Sequence, residues 1–343
     1  MEYGAIDLHT KESEIRIVTA DGPVVLHRRV ATKREALAAV FGGRPRLRIL
    51  LESGTESEWV AQHVEALGHE VVVADPNYAP MYGQRNRRIK TDRRDVIGLA
   101  DANRLGIYRP AHRVSSAQRT VRRQLQVRDQ LVRMRTQVIN LMRGQLRSEG
   151  LRVRSGRAES FVARYQALEV PAALRAVLEP LVQGLTALAP LIAAADTWAH
   201  ETAHGDGVTR RLMTAPGVGP ITALSFQSTL DTVTRFRGPG AVSAYLGVVP
   251  QEDSSGDRQR RGRITKAGPA RVRGVLVQAS WTVWRSPRGS ATLHAWVHRL
   301  ADRRGKRIAI VALARRLARI LFAMWRDGRD FQPARVSRAA TAA

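Results

Sequence analysis

The spacing of apolar residues changes near residue 115, and that change forces two kinds of architecture into one chain. Up to about residue 75 the runs YGAIDL, EIRIVTADG, PVVLHRRV, RLRILLES and EVVVADP are short or alternate with period two, as strands do. Between the last two, ESEWVAQHVEALG has helical spacing at Trp59, Val60, His63 and Leu67 and ends on a capping glycine. Strands interleaved with a helix predict an α/β domain over residues 1–112.

From Ser115 the period becomes helical. The stretch SSAQRTVRRQLQVRDQLVRMRTQVINLMRGQLRSEG places Val121, Leu125, Val132, Val138, Leu141 and Gln145 near one stripe, with arginines covering the remainder. A second Ala- and Leu-rich segment runs from about Glu159 to Ala203, broken near Pro171 and Pro180. The pair predicts a long helical hairpin or coiled coil over 113–205. After the GDG at 205–207, RRLMTAPGVGPITALSF reads as helix, glycine turn, helix, and two further helices are expected from Pro269 to Trp284 and from Lys306 to Trp325. Residues 206–332 are therefore expected to be mainly helical, with a disordered tail over 333–343. The predicted class is α/β plus all-α.

Charge narrows the partners. The 56 Lys and Arg residues against 30 Asp and Glu leave a formal +26, which repels itself in a compact monomer and is commonly neutralised by nucleic acid through counterion release. Absence of cysteine rules out disulfides, thiolate metal sites and thiol nucleophiles. No apolar run is read as reaching the roughly 20 residues of a membrane span, so a cytoplasmic, nucleoid-associated protein is expected.

Two groups of residues carry chemistry. Asp7 ends the first strand, Glu52 closes the fourth, and Asp92 and Asp95 in KTDRRD are spaced to share one helix face. Carboxylates so arranged can converge on Mg²⁺, which prefers oxygen ligands. Taken singly, Asp7 also reads as a turn former, Glu52 as a strand-end charge, Asp92 as a helix cap and Asp95 as a partner of the helix dipole. The second group is GVVPQEDSSGDRQRRGRITKAG, where Ser254 and Ser255 stand among Arg258, Arg260, Arg261, Arg263 and Lys266 with no histidine nearby. A hydroxyl among cations suits attack on phosphorus, and equally suits a loop that hydrogen-bonds phosphate.

AIDL, LLESG and KTDRRD, then PGVGPITA, then YLGVVP…SSG…GRITKAG together resemble the insertion sequence one-ten family of DEDD transposases, bridge-RNA-guided recombinases of bacterial mobile elements, over essentially the whole chain. The resemblance implies a RuvC-like (RNase H fold) N-terminal domain whose metal-binding carboxylates are Asp7, Glu52, Asp92 and Asp95. It implies a C-terminal transposase domain with a helix-hairpin-helix-like element at PGVGP, and Ser255 as the nucleophile that forms a phosphoserine link to DNA. Mg²⁺, donor and target DNA, a guide (bridge) RNA, and a homodimer assembling to a tetramer are the implied cofactor and partners. Two other readings stand beside it: a RuvC-like nuclease that cuts by hydrolysis, and a non-catalytic nucleic-acid-binding protein.

Of the remaining motifs, the arginines at the start of the long helix, Arg122 and Arg123, are expected to contact nucleic acid. HETAH at 200–204 fits a zinc pattern but has no evident third ligand, and His294 and His298 read as helix-surface residues.

Overall fold

The computed structural model describes the backbone of residues 1–82, 92–255 and 258–333, and the side chains of these except 82, 92, 253–255 and 258–261. The chain forms two compact units that meet in sequence at Val114 and Ser115.

The first unit holds one five-stranded sheet: β1 (Tyr3–Asp7), β2 (Glu12–Val18), β3 (Val24–Ala31), β4 (Arg48–Glu52) and β5 (Glu70–Ala74), in the order β3-β2-β1-β4-β5. β1, β2 and β3 form an antiparallel meander, whereas β1, β4 and β5 run parallel. Parallel strands need crossovers, and these place α1 (Arg34–Phe41) and α2 (Ser57–Ala66) on one face, while α3 (Asp92–Leu105), which follows β5, covers the other. The alternation is visible residue by residue. Ile6 and Leu51 pack towards α1 and α2, while Ala5 and Leu50 pack towards α3. Burial on both faces explains why AI and LL are apolar without a break.

In the second unit, α4 (Ser116–Ser148) and α6 (Ala172–Gly205) lie antiparallel. Near the tip, Ile139, Met142 and Leu146 pack on Leu178, Val182 and the short α5 (Phe161–Gln166); at the base, Leu125 packs on Ala199 and Ala203. The buried stripe differs from the expected one. Leu141 and Gln145 are exposed, and the stripe runs through Leu125, Val132, Ile139 and Leu146. That is a strict seven-residue repeat, from which a 3.6-residue period drifts by about 20° per repeat. Pro180 also does not break α6. Pro180 and Pro190 both lie within one continuous helix, and the break falls before it, at Pro171. By length and composition α6 could cross a membrane, with a mean hydropathy of 1.5 over 18 residues, contrary to the expectation of no such run. Its apolar face lies on α4 and α5.

The rest of this unit is a bundle of α7 (Gly207–Met213), α8 (Pro220–Leu230), α9 (Pro239–Tyr245), α10 (Ala270–Arg285), α11 (Ala291–Arg304) and α12 (Lys306–Asp327). α12 contributes Ala309, Leu313, Leu317 and Leu321 to the shared core, every fourth residue along one ridge. α8 is buried from Thr222 to Leu230, because α4, α6, α7 and α10 surround it. Between α9 and α10 the chain forms an antiparallel ribbon, β6 (Pro250–Ser255) and β7 (Arg258–Ile264), where the sequence reads as a loop. The expected disordered tail lies, from residue 334 on, outside the described residues.

Candidate functional site

Period-two alternation fixes where the strand-end carboxylates point. Asp7 lies two residues after Ala5 and Glu52 two after Leu50, so both project on the α3 face, at the carboxyl ends of adjacent parallel strands. Both are half-buried. α3 supplies the third carboxylate. Asn103, near its end, is buried and donates from Nδ2 to the carbonyls of Gly4 and Arg48, each at 2.8 Å, which pins the helix across the amino ends of β1 and β4. Asp95 is eight residues earlier, about 12 Å along the helix. Asp7 and Glu52 are three and four residues beyond those carbonyls, about 10 to 13 Å along the strands. With Val96, Leu99 and Ala100 packed on Ala5, Leu50 and Ala74 in between, the buried Asp95 reaches the sheet end that bears Asp7 and Glu52. The side chain of Asp92, one turn earlier, lies outside the described residues.

A fourth acid on this face escaped the sequence reading. Glu14 stands directly opposite Asp7 in the β1–β2 register, and its Oε1 lies 2.8 Å from Nε2 of His27 on β3. The imidazole of His9 lies 3.4 Å from Asp7. Asp75, which follows the third parallel strand, is by contrast a turn residue. It accepts from the Asn77 backbone amide at 2.9 Å and pairs with Arg109, and these hold its carboxyl below the usual carboxylate range. Among the described residues, no three His, Asp or Glu side chains are gathered tightly enough to hold a metal ion. The donor chemistry on this face is nonetheless oxygen-rich and anionic, which suits a hard divalent cation, and repulsion among such acids is what a cation relieves.

The serine stretch is organised from its base. Gly247 (φ +65°) and Gly268 (φ +72°) occupy left-handed conformations where the backbone crosses itself; a Cβ on Gly247 would sit 2.0 Å from the Ala267 carbonyl, and one on Gly268 2.1 Å from that of Tyr245. Thr265 N donates to Val249 O at 2.9 Å, Lys266 N to Gly247 O at 3.1 Å, and Arg273 Nη1 to the carbonyls of Ala267 and Gly268. The glycines of YLGVVP and TKAG thus form a clasp from which the ribbon projects. In its register Ser255 faces Arg258 as the last described pair, Ser254 faces Gln259, and Asp253 and Glu252 face Arg260 and Arg261. Two of the five expected cations therefore stand opposite acids. Arg263 and Lys266, near the base, are exposed.

Of the two arginines expected on nucleic acid, Arg123 is exposed, whereas Arg122 is turned inwards. Its Nε and Nη2 donate to the last carbonyls of α8, at 2.6 Å to Ser228 and 2.9 Å to Thr229, and burial lowers its pKa. Arg271 has a similar internal place, with Nη1 2.7 Å from Asp129 on α4. The PGVGP turn packs against α10. Gly217 (φ +77°) brings its Cα so close to Ala279 that a Cβ would lie 2.4 Å from that carbonyl. His298 stacks on Trp284 with ring centroids 3.8 Å apart.

Both groups of residues fall within matches to known families. Residues 209–295 match the model described as Transposase IS116/IS110/IS902 family, and residues 5–149 match a DEDD transposase model of the IS110 group; together they cover more than half of the chain. The chain is 28% identical over 326 residues to a probable family 20 transposase of Pseudomonas aeruginosa, covering 93% of this chain and 95% of the relative. It is 26% identical to the transposase for insertion sequence element IS1328 of Yersinia enterocolitica, covering 95% and 97% of the two. It is likewise 26% identical to the transposase for insertion sequence element IS1111A of Coxiella burnetii, covering 88% and 84%.

Proposed function

Because this chain belongs to the IS116/IS110/IS902 family of transposases, we propose that it cleaves and rejoins DNA as the recombinase of an insertion sequence, with Ser255 as the nucleophile. The observation that carries this reading is the projection of Asp7, Glu52 and Asp95 at one end of one sheet face, in a chain whose other unit holds Ser255 at the far end of a clasped ribbon. The five-stranded sheet between helices supports the RuvC-like fold that the sequence resemblance implies.

In the proposed reaction, Ser255 Oγ attacks a DNA phosphodiester. A phosphoserine bond forms, one P–O bond to a deoxyribose oxygen breaks, the hydroxyl proton passes to water, and the released sugar oxygen takes up a proton. Attack by the sugar hydroxyl of the exchanged strand reverses these steps and restores the serine, so no energy source is consumed. Arg258, opposite Ser255 in the register, and Arg263 and Lys266 nearer the clasp offset charge on the phosphoryl oxygens. Asp7, Glu52 and Asp95, with Asp92, would hold Mg²⁺, which supplies Lewis-acid polarisation of the phosphate. The large positive charge supports a complex with a guide RNA that reads sequence by base pairing, and synapsis of two duplexes calls for more than one protomer.

A second reading, hydrolytic cleavage by the carboxylates alone, is favoured by the predominance of acids at the sheet end. The two separate on a denaturing gel of protein, co-purified RNA, Mg²⁺ and element-end DNA. A covalent protein–DNA adduct that disappears in Ser255→Ala supports recombination. Cleavage that persists in Ser255→Ala without an adduct overturns it in favour of the nuclease.

A further inference from the structure

The second unit carries a groove of about 1640 Å³ to which no role has yet been given. Its walls are α11, α12, the base of the ribbon at Pro250 and Gly262–Lys266, and the segment Arg329–Gln332. This is larger than the few hundred to 1,000 Å³ of a typical small-molecule site. Nine of its lining side chains are Arg or Lys, against two Asp. Among the described residues Arg299, Arg303, Arg307 and Arg319 have no carboxylate partner, and all four are exposed. Arg316 lies with its guanidinium 4.6 Å from the Trp296 ring centroid, and burial together with neighbouring Arg319 lowers its pKa. Cations crowded this closely repel one another unless an anion joins them.

The floor is apolar. Ile308, which is 59% exposed, is joined there by Val311, Ile320 and Ala323. A rim of cations over an apolar floor separates the candidate occupants. Duplex nucleic acid turns its phosphates outwards and hides its bases, leaving the floor uncovered. An unpaired strand offers phosphates to the rim and base faces to the floor and to the Trp296–Arg316 stack. A second copy would set nine cations against nine, and the chain's own last ten residues bring Arg335 and Arg338 and no acid.

From this geometry we infer that the groove binds a single-stranded segment of nucleic acid, its backbone along Arg299, Arg303, Arg307 and Arg319 and its bases over Ile308. Because Pro250, Arg263 and Lys266 line both the groove and the ribbon base, the bound strand leads towards Ser255. That last link rests on the reading of Ser255 above, whereas binding itself does not.

The test is fluorescence anisotropy on the full chain, stripped of co-purified nucleic acid and carrying Ser255→Ala so that no covalent adduct contributes. Probes are a 24-nucleotide RNA and a DNA of the same sequence, both without self-complementarity, and the corresponding blunt DNA duplex. The combined variant Arg303→Ala/Arg307→Ala/Arg319→Ala is expected to weaken single-strand binding at least about tenfold and to flatten the log–log salt slope by about 2, from three lost phosphate contacts at ~0.7 each. Ile308→Asp is expected to weaken single-strand binding by a larger factor than duplex binding, since the added anion opposes any phosphate but only the single strand also loses its apolar contact. The tighter of the two single strands identifies the occupant as RNA or DNA. Unchanged single-strand binding in the triple variant, at an unchanged circular dichroism spectrum, overturns the inference, as does an equal loss on duplex and single strand with Ile308→Asp silent. A shift in oligomeric mass without any change in binding overturns it in favour of a second copy. Adduct formation, measured separately with Ser255 intact, is not needed for any of these outcomes, so a failed nuclease-or-recombinase assignment remains distinguishable.

Discussion

Asn103→Ala probes the link between helix α3 and the carboxylate face without touching a carboxylate. The buried amide makes two 2.8 Å hydrogen bonds, to Gly4 O on β1 and Arg48 O on β4. Each contributes about 1 kcal/mol net, and removing the donor strands acceptors in a site that Asn103 keeps almost free of solvent. The combined cost is about 2 to 4 kcal/mol, a large part of a typical domain's stability. Since 1.4 kcal/mol is a factor of ten, amides of β1 and β4 that exchange through opening of the first unit should exchange roughly 30 to 700 times faster. Hydrogen exchange read by mass spectrometry on peptides from β1, β4 and α12 checks this, with α12 expected to be unchanged as an internal control from the other unit. Asn103→Asp, with an anion facing two carbonyls, should be at least as damaging. Recombination should fall with both variants while nucleic-acid binding persists, because the pin sets where Asp95 stands. Exchange in β1 and β4 that changes by less than about threefold would refute the idea that this side chain holds α3 in register.

Gly247→Ala should lower the melting temperature of the second unit by a few degrees and abolish DNA exchange even where the variant is fully folded, because a left-handed alanine costs about 1 to 2 kcal/mol and its Cβ meets the Ala267 carbonyl in the clasp; normal exchange by this variant would sink the clasp. Arg122→Met should destabilise the second unit by about 1 to 3 kcal/mol, by stripping the end of α8 of two donors. Its nucleic-acid affinity should fall less than that of Arg123→Met, as judged by urea titration and by anisotropy. Asp75 has a depressed folded-state pKa, so its stabilising effect is present above the unfolded value near 3.9 and is lost as pH falls through the folded one. The gap in melting temperature between wild type and Asp75→Asn, worth under about 1 kcal/mol for a part-exposed pair, should therefore be present at pH 7 and shrink as pH falls below the unfolded value.

How much of this was legible in the sequence depended on how local each feature is. The ends of β1 and β4 were readable because Asp7 and Glu52 terminate runs whose apolarity reflects burial on both faces, and Asp95 because i, i+3 spacing is intrinsic to a helix. The stripe of α4 went astray after Val132, where a helix packed against a partner keeps a seven-residue repeat that a free period of 3.6 does not. Pro180 looked like a break because proline removes one donor, a loss that the packing of Leu178, Val182 and Leu185 on α4 and α5 outweighs. The ribbon at 250–264 was hidden for the opposite reason. It has no alternating apolar face, and its register is set by the clasp of Gly247 and Gly268, which meet only once the chain has folded. Nothing in the sequence separates Arg122, turned towards α8, from Arg123 beside it. The groove likewise joins α11, α12 and the ribbon base from positions up to 93 residues apart, Pro239 to Gln332.

Among the described residues, the hairpin of α4 and α6 is held at one end only. Arg122 grips the last carbonyls of α8 and Leu125 packs on Leu224, while the tip cluster around Leu146 makes its contacts within the hairpin itself. Twenty-four residues of continuous helix separate Arg122 from Leu146, giving an arm of about 36 Å. Pivoted on α8, a rotation of about 5° swings the tip through about 3 Å, roughly the rise of one base pair. The same mechanical advantage works in reverse: a load applied at the tip arrives multiplied at α8, which passes it to α7 and α10 packed against it.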